Sequence, residues 1–270
     1  MTMNRIETLY ADLRAAGRAG FNVYLCAGDP DLETTRDLIL AFEDAGVDMV
    51  ELGMPFSDPI ADGPVIQAAG QRSLERGTTL AKVLELTAEV RERSEMPIAL
   101  MTYYNIIHKF GVERFVAESI RVGIDGLIVP DLIVEEAEDL IASAQAAGLA
   151  TVFFVAPTST DERIQLADQA SSGFIYCVSV TGITGARTEL PPGIRAYMKR
   201  VRALTSKPLV VGFGVSTPEQ VRALSEVADG IIVGSAVVRE IEAGAGLRRD
   251  ELVAKVAAFA GALAEGTRSE

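Results

Sequence analysis

Short, densely apolar runs alternate with stretches of helical spacing along the whole chain. Each run opens at a glycine or a proline: FNVYLC after Gly20, VDMVEL after Gly46, IALM after Pro97, IDGLIV after Gly123, LATVFFV after Gly148, FIYCVSV after Gly173, LVVGFG after Pro208 and IIVGS after Gly230. Most are apolar at odd and even positions alike, as a strand covered on both faces must be. Between them, apolar residues with polar starts predict helices over 31–45, 78–93, 112–121, 135–147, 161–170 and 218–227. Thr217-Pro218-Glu219 is a strong helix start: a capping hydroxyl, a proline in the first turn, then an acid. Near the N-terminus, Ile6, Leu9, Tyr10 and Leu13 interleave with Arg5, Glu7, Asp12 and Arg14. That pattern predicts an amphipathic helix within 1–20 and not a signal peptide.

The openers lie 26, 51, 26, 25, 25, 35 and 22 residues apart. A period near 25 residues is one strand, one helix and two turns. Eight such units predict an α/β fold, a single (β/α)8 TIM barrel over residues 1–270. An open doubly wound sheet is the alternative, but no G-x-G-x-x-G follows the first strand to support it. The two outsized steps place insertions over 53–77 and 179–193, read as long loops after strands 2 and 6. Loops that follow strands lie on the C-terminal face, where barrel enzymes keep their sites.

Composition narrows the chemistry. Hydrophobic residues make up 49% of the 270, enough for a packed core, and the net charge of −13 disfavours nucleic acid and anionic membranes as partners. No apolar run approaches the ~20 residues of a membrane span. Cys26 and Cys177 each sit inside an apolar strand-like run and are expected as buried thiols. These features point to a cytoplasmic chain. A single histidine, His108, argues against a multi-histidine metal site, so no metal is expected. None of Lys82, Lys109, Lys199, Lys207 and Lys255 ends a strand, which argues against a Schiff-base aldolase.

Carboxylates remain as the proton-transfer groups. Glu51 ends strand 2 after a mostly apolar run, where desolvation raises a carboxyl pKa toward useful acid–base values. Asp62 follows in the insertion, with Asp58 between, and a strand-end acid and a loop acid can face each other across a pocket. The opposing reading has Glu51 paired with a base and either aspartate capping a turn, since Asp58-Pro59 and Asp62-Gly63-Pro64 have turn chemistry. Glycines close three consecutive strands: Gly182 and Gly185 after strand 6, Gly212 and Gly214 at strand 7, Gly234 before Ser235 at strand 8. With a short helix over 236–241, they predict a backbone phosphate site.

The run ELGMPFSDPIADGP over residues 51–64 resembles the signature of the tryptophan synthase alpha chain family. The resemblance continues through Ala27-Gly28-Asp29-Pro30, Tyr104-Asn105, Pro130-Asp131-Leu132, Gly182-Ile183-Thr184-Gly185, Gly212-Phe213-Gly214 and Gly234-Ser235-Ala236, nearly the whole chain. It implies retro-aldol cleavage of indole-3-glycerol phosphate to indole and glyceraldehyde 3-phosphate. It implies Glu51 as the proton shuttle, Asp62 as the partner of the indole N–H, and Thr184 as the residue orienting Asp62 on loop closure. It implies phosphate binding at Gly185, Gly214, Gly234 and Ser235. An indole slot would be lined by Tyr24, Ile66, Met101, Ile128, Tyr176, Phe213 and Ile232. It further implies an αββα heterotetramer with a beta chain carrying pyridoxal phosphate, no cofactor in this chain, and partner contacts at Pro55, Phe56, Asp58 and His108.

The chain departs from the family pattern at Ile133, at Ile106, and at Asn22-Val23 and Cys26 on strand 1. Two of these fall in or near the strand 3 and 4 loops, which leaves a free-standing indole-releasing lyase open. A non-catalytic activating subunit is a third reading, against which the intact carboxylates argue. An indole-glycerol-phosphate synthase would want a strand-end lysine.

Overall fold

The computed structural model describes residues 4–178, 193–212 and 214–268. Eight parallel strands close into a barrel in chain order: β1 (Gly20–Cys26), β2 (Met49–Gly53), β3 (Ile98–Met101), β4 (Gly126–Ile128), β5 (Ala150–Val155), β6 (Ile175–Val178), β7 (Leu209–Gly212) and β8 (Gly230–Val233). β8 pairs back onto β1, which excludes the open doubly wound sheet. Helices run α1 (Arg5–Ala15), α2 (Leu32–Asp44), α3 (Pro64–Glu75), α4 (Leu80–Arg91), α5 (Tyr104–Phe110), α6 (Val112–Val122), α7 (Glu138–Ala147), α8 (Asp161–Ala170), α9 (Ile194–Arg202), α10 (Pro218–Ser225), α11 (Ser235–Ala243) and α12 (Arg249–Ala264). No helix among the described residues is long and apolar enough to cross a membrane.

Local chemistry sets the helix starts. Asp31, Thr79, Thr160 and Thr217 each accept a backbone N–H of the first turn of α2, α4, α8 and α10. The insertion after β2 is only in part a loop. Residues 54–63 are irregular, and Pro64 then starts α3. The expected 3.6-residue pattern was hidden by the turn-rich approach to it. The segment after β3, read as a loop, is the short helix α5. The helix expected over 135–147 begins as a single 3-10 turn, Val134–Glu136, before α7. The insertion over 179–193 lies almost wholly outside the described residues.

Side chains sort into two cores. Between sheet and helices lie Phe21, Leu38, Phe42, Leu52, Leu100 and Phe115 with their neighbours. Inside the barrel lie Met49, Ala99, Val152, Phe174 and Val210, closed from below by Ile6, Tyr10 and Leu13 of α1. Gly126 leaves room for that plug, since a Cβ there would meet Ile6 Cδ1 at 2.8 Å.

The rim beneath the barrel carries a repeated clamp. Just before β2, Asp48 accepts the Phe21 N–H of β1 at 2.8 Å and pairs with Arg18 at 2.6 Å. Just before β4, Asp125 accepts the Ile98 N–H of β3 at 2.8 Å and pairs with Arg91 at 2.7 Å and Arg5 at 3.0 Å. Just before β8, Asp229 accepts the Leu209 N–H of β7 at 2.7 Å and pairs with Arg202. Before β6, the Ser172 hydroxyl accepts the Thr151 N–H of β5 at 3.0 Å. Each clamp satisfies a strand-start donor that would otherwise be orphaned at the rim.

Candidate active site

Glu51 sits on β2 opposite Tyr24 of β1 and is 1% exposed inside the barrel. Its Oε2 has no hydrogen-bond partner. Burial pushes its carboxyl up to about 8, the nearby Asp62 charge adds to the rise, and a hydrogen bond with Tyr176 opposes it. A carboxyl that gains and loses a proton near neutral pH is what a proton shuttle needs. Among the described residues no basic side chain pairs with Glu51, which counts against reading this acid as half of an ion pair.

Asp62 ends the β2–α3 loop, half-buried, and is close enough to raise Glu51. Tyr103 donates its hydroxyl to Asp62 Oδ2 at 3.0 Å, accepts the Ala61 N–H at 3.1 Å, and stacks on Phe56 at 5.0 Å between ring centroids. Burial raises the Asp62 pKa and the Tyr103 hydrogen bond holds it back. Tyr103 therefore fixes three points of the loop, and sequence reasoning, which placed it only in a strand 3 segment facing the partner, did not assign it this role at Asp62. Its one signal was its place two residues beyond β3, at the barrel mouth.

Tyr24, Ile66, Met101, Ile128, Tyr176 and Ile232 all pack into the inner apolar cluster. Phe154 of β5 joins them, its ring 4.7 Å from that of Tyr176. It was missed because VFFV over 152–155 is apolar throughout and shows no inward phase. Gly53 lets the Tyr24 hydroxyl lie across the β2 end, where any side chain would collide with it. Phe213, Thr184 and Gly185 lie outside the described residues.

Gly214 has a φ of +66°, and Gly234 caps α11 without a side-chain hydrogen bond. Ser235 is the first residue of α11. Unlike α2, α4, α8 and α10, α11 thus leaves its first backbone donors unclaimed by a capping side chain, a favourable setting for an anion. Of the expected partner contacts, Asp58 and His108 are exposed, Phe56 is half-buried against Tyr103, and Pro55 is buried within the chain itself. Both cysteines are free and buried.

A model of the family described as "Tryptophan synthase alpha chain" matches residues 10–268. The chain belongs to the tryptophan synthase alpha chain family. It is 45% identical over 263 residues to the tryptophan synthase alpha chain of Thermoanaerobacter sp. strain X514, covering 97% of this chain and 99% of that one. It is 46% identical over 267 residues to the counterpart of Geotalea uraniireducens, covering 99% of each. Among solved structures, tryptophan synthase subunit alpha of Legionella pneumophila superposes with a TM-score of 0.91 at 34% identity, over 98% of this chain and 99% of that one. An open form of tryptophan synthase from M. tuberculosis matches with a TM-score of 0.88 at 32% identity, over 99% of this chain and all of that one. Thus the alpha-chain signature at residues 51–64 sits on the β2 end and its loop, around Glu51 and Asp62.

Proposed function

We propose that this chain is a carbon–carbon lyase of tryptophan biosynthesis, the alpha subunit that cleaves indole-3-glycerol phosphate to indole and glyceraldehyde 3-phosphate. The observation that carries the reading is Glu51, buried, without a basic partner among the described residues and raised to about 8 beneath an aromatic slot. Protonated Glu51 gives its proton to indole C3, which turns the ring into an electron sink. The C–C bond then breaks as the side-chain hydroxyl becomes the aldehyde, and its proton returns to Glu51. Asp62 holds the indole N–H while charge develops on the ring. Tyr24, Ile66, Met101, Ile128, Tyr176, Phe213 and Ile232 hold the indole. Backbone groups of Gly185, Gly214, Gly234 and Ser235 hold the phosphate, and Thr184 orients Asp62 when the β6 loop closes.

Free indole is apolar and escapes easily, so the enzyme works in an αββα assembly with a pyridoxal-phosphate beta chain that consumes it. Pyridoxal phosphate belongs to that partner, and this chain works without a cofactor of its own. Phe56, Asp58 and His108 mark the docking side, and Ile60, 81% exposed in the same loop, is apolar surface that a partner would cover. The assembly is cytoplasmic, and residues 1–270 act as one barrel domain.

Turnover of indole-3-glycerol phosphate should be slow for the isolated chain and rise at least tenfold on adding beta chain. No turnover even with the partner would overturn the assignment. Ile133, half exposed where the family pattern has proline, supports a second reading as a free-standing lyase. Full activity alone, with no complex on size-exclusion chromatography, would establish that reading instead. A further check is Tyr103→Phe. Loss of one hydrogen bond to a charged group should lower kcat/KM about tenfold with the fold retained. Unchanged steady-state kinetics would show that the hydroxyl does not position Asp62.

A further inference from the structure

Asn22 stands on β1 inside the barrel, where neighbouring strands offer apolar side chains, and it is 0% exposed. A buried amide with an unmade hydrogen bond costs stability, so its presence calls for a partner. One end has one: Asn22 Nδ2 donates to the Tyr10 hydroxyl at 2.9 Å. The other end does not, for Asn22 Oδ1 is fully buried without a partner. Only a few other buried side-chain atoms among the described residues share that state, and Glu51 Oε2 is one of them.

The two orphans belong to one place. β1 and β2 pair with Asn22 opposite Met49 and Tyr24 opposite Glu51. Asn22 and Tyr24 share a face of β1, Met49 and Glu51 share a face of β2, and both faces look into the barrel. Asn22 and Glu51 are therefore diagonal neighbours, with Cα atoms about 8 Å apart from strand spacing and rise. An asparagine and a glutamate side chain reaching toward each other span that gap directly or through one water. The Glu51 charge is also felt at the Tyr10 phenol beneath.

We propose that Asn22, backed by Tyr10, is a positioning residue for Glu51, serving its carboxyl in both protonation states. A carboxamide has a donor end and an acceptor end. When Glu51 is protonated, its O–H donates to Asn22 Oδ1, and Nδ2 donates to Tyr10. When Glu51 is ionised, a half-turn of the amide presents Nδ2 to Oε2, and the Tyr10 hydroxyl donates to Oδ1. The hydroxyl complements the amide either way because it both gives and accepts. No atom is exchanged and no charge enters beyond the proton Glu51 already moves. Among the described residues, the other titratable groups that act on Glu51 are Asp62 from the loop, Tyr24 from β1 and Tyr176 from β6. The role deepens the lyase reading of Glu51 and rests on it for its use, though its test does not.

The experiment is infrared titration of the protonated-carboxyl band of the full ligand-free chain, with Glu51→Gln identifying the Glu51 band. A hydrogen bond to the ionised form is the stronger of the two that Asn22 makes. In Asn22→Val the band midpoint should therefore move up by about one pH unit and the band frequency should rise, as for a carboxyl that has lost its acceptor. Tyr10→Phe, which leaves the strand untouched, should move the midpoint the same way by a smaller amount. The high-pH limb of kcat should follow the band while KM changes less than twofold. An unchanged midpoint and frequency in both variants overturns the proposal. Shifted bands in a chain that never turns over indole-3-glycerol phosphate would leave the pairing standing and sink the lyase reading instead.

Discussion

Glu51→Gln should lower indole release by about 10²–10⁴-fold, the usual worth of a positioned proton-transfer group. KM should move little, because the amide keeps the shape of the side chain and only the transition state uses the proton. In the unsubstituted chain kcat should fall as pH rises through about 8, where Glu51 loses the proton that C3 must receive. The same substitution should stabilise the fold. The carboxyl titrates near 4.5 in the unfolded chain and near 8 when folded. Across that window the folded chain binds a proton that the unfolded chain has released, so stability falls as pH rises from 4.5 to 8. Glutamine removes the linkage, and the gain at pH 8 should be on the order of a few kcal/mol by urea unfolding. Activity bought with stability at one buried carboxyl is the pattern of a working site. Unchanged turnover in Glu51→Gln would instead overturn the catalytic assignment of Glu51.

Much of this was legible in the chain before any coordinates. The eight strand openers, the closed barrel and the C-terminal-face position of Glu51 follow from spacing and from strands that are apolar on both faces. Helix starts were legible where a capping side chain announced them, as at Asp31 and Thr217. They were illegible at Gly63 before α3 and at Tyr103 before α5, where no capping side chain marks the start and the flanking sequence reads as a loop. The inward-facing Phe154 was hidden because a strand buried on both faces has no alternation to read. Tyr103 and Asn22 were hidden for a different reason. Their roles come from hydrogen bonds to residues 41 and 12 positions away, and no local pattern encodes such a contact. The clamps at Asp48, Asp125 and Asp229 did leave a sequence trace, an acid just before an even strand, whose meaning appears only when the preceding strand is seen to lie beside it.

Asp125→Ala should be the most destabilising single change at the opposite end of the barrel. The carboxylate is 4% exposed and takes Arg91, Arg5 and the Ile98 N–H at once. Removing it leaves a guanidinium that is only 10% exposed without its counter-charge and orphans the first backbone donor of β3. Loss of one partner of a buried pair costs about 3–5 kcal/mol, against at most ~1 kcal/mol for a surface pair. Arg36–Asp37, both partly exposed, is the matched control. Asp125→Asn should fall between, since an amide oxygen can still accept the Ile98 N–H while the charge is gone. Arg5 ties the result to α1, whose Asn4 also donates to the Asp125 carbonyl at 2.6 Å, so part of the loss should appear as weaker protection of α1 amides in hydrogen exchange. The clamp lies at the N-terminal rim and Glu51 toward the C-terminal mouth, so variant that remains folded in the cold should keep its KM. A urea midpoint for Asp125→Ala no lower than that of Asp37→Ala would show that the rim clamp does not hold the barrel together.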